Sequence, residues 1–186
     1  VGSEMCIRDS IYGYGLMNEP HDLTPETSWF DMAQASINAI REVDTNTLIM
    51  VGGNDWSSAE RWIEQSDTLK YLKDPANNLA FEAHVYFDKD ASGTYKYSYE
   101  EEECYPEKGI DRVKPFVEWI KQNKFHGFIG EYGIPDNDPR WNETLDLFLG
   151  YLQENGINGT YWAAGPWWDS YFMAITPKDG KDRPQM

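Results

Sequence analysis

The stretch Gly15-Leu16-Met17-Asn18-Glu19-Pro20 decides how this chain is read. Ile11, Tyr12, Tyr14, Leu16 and Met17 make an almost continuously apolar approach to an amide, a carboxylate and a proline. Such a run suits a strand buried on both faces in a parallel sheet. Pro20 cannot donate to the next rung of a ladder and restricts the residue before it to extended geometry. The expectation is a strand that stops with Asn18 and Glu19 at its C-terminal rim, where α/β barrels carry their chemistry. A single Glu-Pro pair is also what an ordinary solvated carboxylate after a core strand looks like, so the reading depends on the rest of the chain.

Outward from that stretch, strand and helix patterns alternate. Ser28 can cap a helix with Asp31 three positions on, and Trp29, Ala33, Ile37, Ile40 and Val43 recur along one face. Leu48 to Val51 reads as a buried strand closed by Gly52-Gly53, Ser57 to Leu72 as a helix, and Leu79 to Val85 as the next strand. A polar loop from Asp88 to Lys108 follows, of a length that is usually functional or mobile. Ile110, Val113, Val117 and Ile120 then mark a helix with Pro115 in or near its first turn. Gly127 to Gly130 is strand-like, Trp141 to Leu152 forms a helical face ending at Asn155-Gly156, and Gly159 to Ala164 is the last strand. This order predicts parallel strands joined by right-handed helical crossovers. Five strands fit either a doubly wound sheet or part of a (β/α) barrel.

The 186 residues carry 32 acidic against 16 basic side chains, a formal charge of −16, which repels phosphate backbones and anionic lipid. Nucleic acid and membrane are therefore poor partners, and a neutral ligand fits better. Nothing approaches an 18-residue apolar run, and Val1 to Ser10 lack the apolar centre of a secretory signal. Aromatic residues make up 15%, including eight Trp and twelve Tyr, a supply of flat rings suited to stacking on sugar faces as well as to packing. Cys6 and Cys104 make no disulfide framework, and His21, His84 and His126 are too scattered for a zinc site, so neither a metal nor a cofactor is expected.

Glu131 repeats the arrangement around Glu19: an apolar strand with glycines, a carboxylate at its end, then Tyr132-Gly133-Ile134-Pro135. If both strands lie in one barrel, both acids face one cleft. Carboxyls about 5 Å apart suit retaining glycoside hydrolysis, with one acid as nucleophile and the other as acid, then base; wider spacing suits inversion. Between them, His84 and Tyr86 stand two apart on an extended chain and share a face. A phenol there can hydrogen-bond a nucleophile, and an imidazole can orient a carboxyl or a sugar hydroxyl. Trp162 at a strand end can form a platform for a pyranose ring, with Trp167 and Trp168 extending it and Trp56 acting similarly.

Four motifs in order, Gly15-Leu16-Met17-Asn18-Glu19-Pro20, His84-Val85-Tyr86, Gly130-Glu131-Tyr132-Gly133 and Tyr161-Trp162-Ala163-Ala164-Gly165, resemble glycoside hydrolase family 5, most closely its secreted endo-β-1,4-glucanases. The resemblance covers nearly everything after Ile11. It implies an incomplete (β/α)8 TIM barrel with strands 4 to 8 present and strands 1 to 3 missing. Residues 11–186 would form this partial domain, and Val1 to Ser10, which match no periodicity, a foreign or disordered extension. By the resemblance Glu19 is the acid/base on strand 4, Glu131 the nucleophile on strand 7, Asn18 a ligand of the sugar 2-hydroxyl, and His84, Tyr86 and Trp162 further cleft residues. Glu19 should be held protonated and Glu131 kept ionised by hydrogen bonds. The implied substrate is a β-glucan, with mannan or xyloglucan as the competing polymer. The implied parent enzyme is secreted, monomeric and cofactor-free. The family's arginine near the nucleophile, and a histidine lining the cleft, fall in the missing strands, so the isolated chain is expected to be catalytically silent with at most weak glucan binding.

Overall fold

A computed structural model of the protein describes residues 11–24 and 26–186. The suggested extension, Val1 to Ser10, and Pro25 of the first turn lie outside the described residues. Five strands form one sheet in sequence order: β1 (Gly13–Gly15), β2 (Leu48–Gly52), β3 (Leu79–Tyr86), β4 (His126–Gly133) and β5 (Asn158–Tyr161). Every neighbouring pair is parallel. Among the described residues β1 and β5 each pair on one side only, so the sheet is a half-barrel with two open edges.

Helices α1 (Trp29–Arg41), α2 (Trp62–Ser66), α3 (Lys108–Asn123) and α4 (Arg140–Glu154) connect the strands. Ser28 caps α1 as expected, its Oγ accepting from the Asp31 N–H at 3.3 Å. The apolar stripe buries Trp29, Ala33 and Ile37, but α1 stops at Arg41 and Val43 is 88% exposed. Arg41 is turned inward to Asp74, with Nε 2.7 Å from Oδ1. The helix expected over 57–72 is broken. A turn over Asn54–Ser57 has positive φ at Asp55, Trp56 and Ser57, followed by α2 and a 3-10 turn over Asp67–Tyr71. Close packing explains the break: a Cβ at Gly53 would lie 2.4 Å from the Trp62 ring. Pro115 also falls in the middle of α3, not in its first turn. The residue four before it, Asp111, is exposed, so its freed carbonyl can meet water.

Between the sheet and the helices, Trp62, Phe81, Phe116 and Trp119 pack edge to face with centroids 4.6 to 6.4 Å apart. Phe81, Ala83 and Val85 of β3 face this core. The alternate residues, Glu82, His84 and Tyr86, therefore line the other, inner face of the sheet.

The register between β3 and β4 then changes. Ala83 pairs with Ile129 but His84 pairs with Glu131, leaving Gly130 as an extra residue in a β-bulge. Without it, Glu131 would share the helix-facing parity of the buried Ile129. With it, Tyr132 takes that side, packing on Phe148 at 5.4 Å, and Glu131 turns inward beside His84.

The long loop after β3 is tightly built. Asp88 is fully buried and accepts from the Ser92 hydroxyl and the N–H groups of Gly93, Thr94 and Tyr95. The Tyr95 hydroxyl accepts from the Phe87 N–H and donates to the Gly133 carbonyl at 2.6 Å, tying the ends of β3 and β4 together.

Candidate active site

Glu19 lies in the turn after β1, whose ladder continues through Leu16 to the Met50 carbonyl. Its backbone is not extended as the following proline predicts. φ is +46°, a left-handed conformation that side-chain-bearing residues adopt only when surrounding contacts hold them there. Those contacts are visible: the carboxylate reaches over β2 to the inner face of β3, where its Oε1 lies 2.7 Å from His84 Nδ1. Asn18, just before it, is exposed.

On the same face the Tyr86 hydroxyl donates to Glu131 Oε2 at 2.8 Å, and His84 Nδ1 lies 3.8 Å from that oxygen. One oxygen of Glu19, one of Glu131 and a His84 ring nitrogen all fall within 4.8 Å of one another. The His84 Nε2 faces Glu82 Oε1 at 3.2 Å. These three side chains are close enough to meet one cation, but both ring nitrogens are engaged with carboxylates, which makes a proton-sharing cluster and not a vacant ligand set.

The electrostatics follow from this crowding. Burial works against a charged His84, yet its hydrogen bonds to Glu19 and Glu82 and the charge of Glu131 outweigh burial and push the imidazole up to about 9. Burial pushes the Glu131 carboxyl above its ordinary value, against the opposing pull of His84 and the Tyr86 hydroxyl and with the charges of Glu19 and Glu82 adding to it. The Tyr86 hydroxyl and His84 favour the ionised Glu131 carboxylate, as expected of hydrogen bonds to it, but desolvation is the larger effect and sets the direction. Burial, then the charge of Glu131, likewise drives Tyr86 far above the usual phenol range, so it stays a donor.

The aromatic residues divide. Trp56 is 43% exposed and stacks on His21, centroids 4.5 Å apart and planes 11° from parallel, beside a cavity of about 490 Å³ that Glu19, His84 and Tyr86 also line. Trp162 continues the β5 ladder by donating its N–H to the Tyr132 carbonyl, and its peptide bond to Ala163 is cis. Its ring meets Trp168, not Trp167, at 4.8 Å, and the row runs on through Tyr171 to Phe172. Trp167 projects into solvent at 89% exposure. Neither His21 nor Glu82 stood out in the sequence, though the spacing of Glu82, His84 and Tyr86 by two is a signal that finds Glu82. A second cavity, of about 650 Å³ at the N-terminal ends of the strands, is lined by no carboxylate.

Parallel strands, outer helices and paired acids at the C-terminal ends of the strands define the class: half of a (β/α)8 barrel of the glycosidase kind. Residues 6–167 match the family model described as Cellulase (glycosyl hydrolase family 5), and the chain belongs to that family. It is 38% identical over 168 residues to a probable endo-β-1,4-glucanase B of Aspergillus kawachii, covering 88% of this chain and 48% of that protein. The endoglucanase Cel5A of Pseudomonas stutzeri, solved in complex with cellobiose, superposes with a TM-score of 0.87 at 43% identity, over 98% of this chain and 55% of that one. XacCel5A, solved in complex with cellopentaose, superposes with a TM-score of 0.81 at 39% identity, over 92% and 56%. The chain spans about half the length of the curated relatives it matches.

Proposed function

We propose that this chain carries the two catalytic carboxylates of a retaining endo-β-1,4-glucanase, with Glu131 as nucleophile and Glu19 as acid, then base. The observation that carries this reading is the approach of one oxygen of each carboxyl group to within 4.8 Å, near the spacing of about 5 Å that suits a double displacement and short of the roughly 6.5 to 9.5 Å of an inverting pair. In the first step Glu131 attacks the anomeric carbon while Glu19 gives its proton to the departing glycosidic oxygen. In the second, Glu19 takes a proton from water as that water displaces Glu131. The Tyr86 hydroxyl orients the attacking carboxylate, and its bond to Oε2 leaves Oε1 as the free oxygen of Glu131. Asn18 would bind the sugar 2-hydroxyl. Trp162 would stack on the ring beside the cleaved bond, with Trp56 and Trp167 contacting neighbouring sugars. Export from the cell and a monomeric parent enzyme belong to the same proposal, because a β-glucan polymer is met outside the cell.

The unpaired outer sides of β1 and β5 support a second statement, that turnover needs further strands to close the sheet. Hydrolysis of carboxymethylcellulose and of mannan should be measured for this chain and for the chain joined to the part of a relative that it does not cover. The expected result is glucan hydrolysis by the joined form alone, lost in Glu131→Ala. Near-normal activity of Glu131→Ala overturns the site assignment, turnover by the short chain overturns the need for further strands, and a preference for mannan overturns the substrate.

A further inference from the structure

Glu82 has no part in the double displacement, yet its carboxylate occupies a prepared place. Its Oε1 lies 3.2 Å from His84 Nε2, on the side of the ring away from Glu19. A neutral imidazole has one N–H and would leave its other nitrogen lone pair facing a carboxylate oxygen, whereas an imidazolium serves both. Room for Glu82 comes from β4: a Cβ at residue 130 would lie 2.0 Å from Glu82 Oε1 and 2.7 Å from its carboxyl carbon. Gly130 is also the extra residue of the bulge that turns Glu131 inward. One glycine thus aims Glu131 and vacates the space in which Glu82 sits.

We propose that Glu82, seated on Gly130, is a positioning residue that holds the His84 ring with both nitrogens engaged and so keeps Nδ1–H aimed at the carboxyl of Glu19. This rests on the reading of Glu19 as acid/base. When Glu19 has passed its proton to the leaving oxygen as the glycosidic bond breaks, the Nδ1–H donor stabilises the carboxylate that remains, until a proton from the attacking water restores it. Glu82 touches no substrate and exchanges no proton with it. The charged groups facing His84 are Glu19 from the turn after β1, Glu82 from its own strand and Glu131 from β4. From the segment after β2 the contact is a backbone bridge with Ser58, and the Tyr86 hydroxyl is committed to Glu131.

The test is a histidine 15N NMR titration of this chain without substrate, so that a wrong assignment of Glu19 leaves its outcome unaffected. In the unsubstituted chain both ring nitrogens of His84 should carry protons at pH 7.5. Glu82→Gln should lower the proton affinity of His84 by about tenfold, one pH unit in its midpoint. Gly130→Ala should shift it in the same direction, because it keeps every charge while its Cβ would take the place of the Glu82 carboxyl group. A His84 that is neutral at pH 7.5 in the unsubstituted chain overturns the proposal, whatever the variants do. So does an unchanged midpoint in whichever variant stays folded. In the closed-sheet form, Glu82→Gln should lower kcat on poor leaving groups with KM nearly unchanged; a change confined to KM also contradicts a positioning role.

Discussion

Raising the pH from 6.5 to 9.5 should destabilise this chain chiefly through His84. The imidazole, 3% exposed, is held in its protonated form by Glu19 and Glu82, which places its folded value near 9 against 6.5 for the free side chain. A value raised by folding contributes stability that is fully present below 6.5 and disappears as pH climbs through about 9. At 1.36 kcal/mol per pH unit the loss is about 3 kcal/mol. With a urea dependence of about 2 kcal/mol per molar, the midpoint should fall by about 1.5 M across that range. The raised Glu131 carboxyl has the same sign and begins to act from its free value of 4.5, the raised Cys104 thiol adds to the loss near 9, the lowered Lys108 ammonium opposes it, and the raised Tyr86 acts above 10, so the effect of His84 is taken as the difference from a variant that lacks the imidazole. Urea unfolding at constant ionic strength, compared with His84→Asn, isolates the effect. A midpoint that is flat or rises over this range, or one that falls equally in His84→Asn, refutes the hydrogen-bonded imidazolium.

Three other substitutions probe the scaffold and the site. Tyr86→Phe removes the donor at 2.8 Å from Glu131 and should raise the Glu131 carboxyl further, by about one pH unit for a charge-assisted bond, read by 13C NMR of labelled glutamate; no change means that the phenol does not hold Glu131. Arg41→Ala should cost about 3 to 5 kcal/mol in urea unfolding, because it strands Asp74, whose side chain is 0% exposed, without its bidentate partner. Gly53→Ala should cost at least about 1 to 3 kcal/mol, since its Cβ would press on the rigid Trp62 ring; a neutral result would show that the turn after β2 is looser than its packing indicates.

Much of this layout was legible in the sequence because it depends on local patterns. Apolar runs bounded by glycine and proline located all five strands, and a helical stripe with Ser28 before it located α1. Glu19, His84, Tyr86 and Glu131 were legible as strand-end residues because an acid or an imidazole after an apolar run is costly unless it has a partner. What could not be read depends on contacts between distant segments. The turn at residues 54–57 breaks a helical pattern because Gly53 packs against Trp62. Glu19 takes a positive φ in spite of Pro20 because His84, on another strand, receives its carboxylate. Alternation by two also fails at Gly130. A reader counting from Ile129 would turn Glu131 toward the helices, and only the pairing with β3 reveals the bulge that turns it into the cleft. The choice between Trp167 and Trp168 as the neighbour of Trp162 is likewise set by the irregular chain after β5, which has no period to read.

In the proposed mechanism Glu131 forms the covalent bond to the sugar while Glu19 handles the proton. Its most direct measurement is peptide mass spectrometry of the closed-sheet form after inactivation by an activated 2-deoxy-2-fluoro-β-cellobioside, which traps the glycosyl-enzyme. The expected result is one 2-fluorocellobiosyl group, a disaccharide, on the peptide containing Glu131, absent from Glu131→Gln. A label on Glu19, or an active protein that releases the inverted sugar and never becomes labelled, would contradict it.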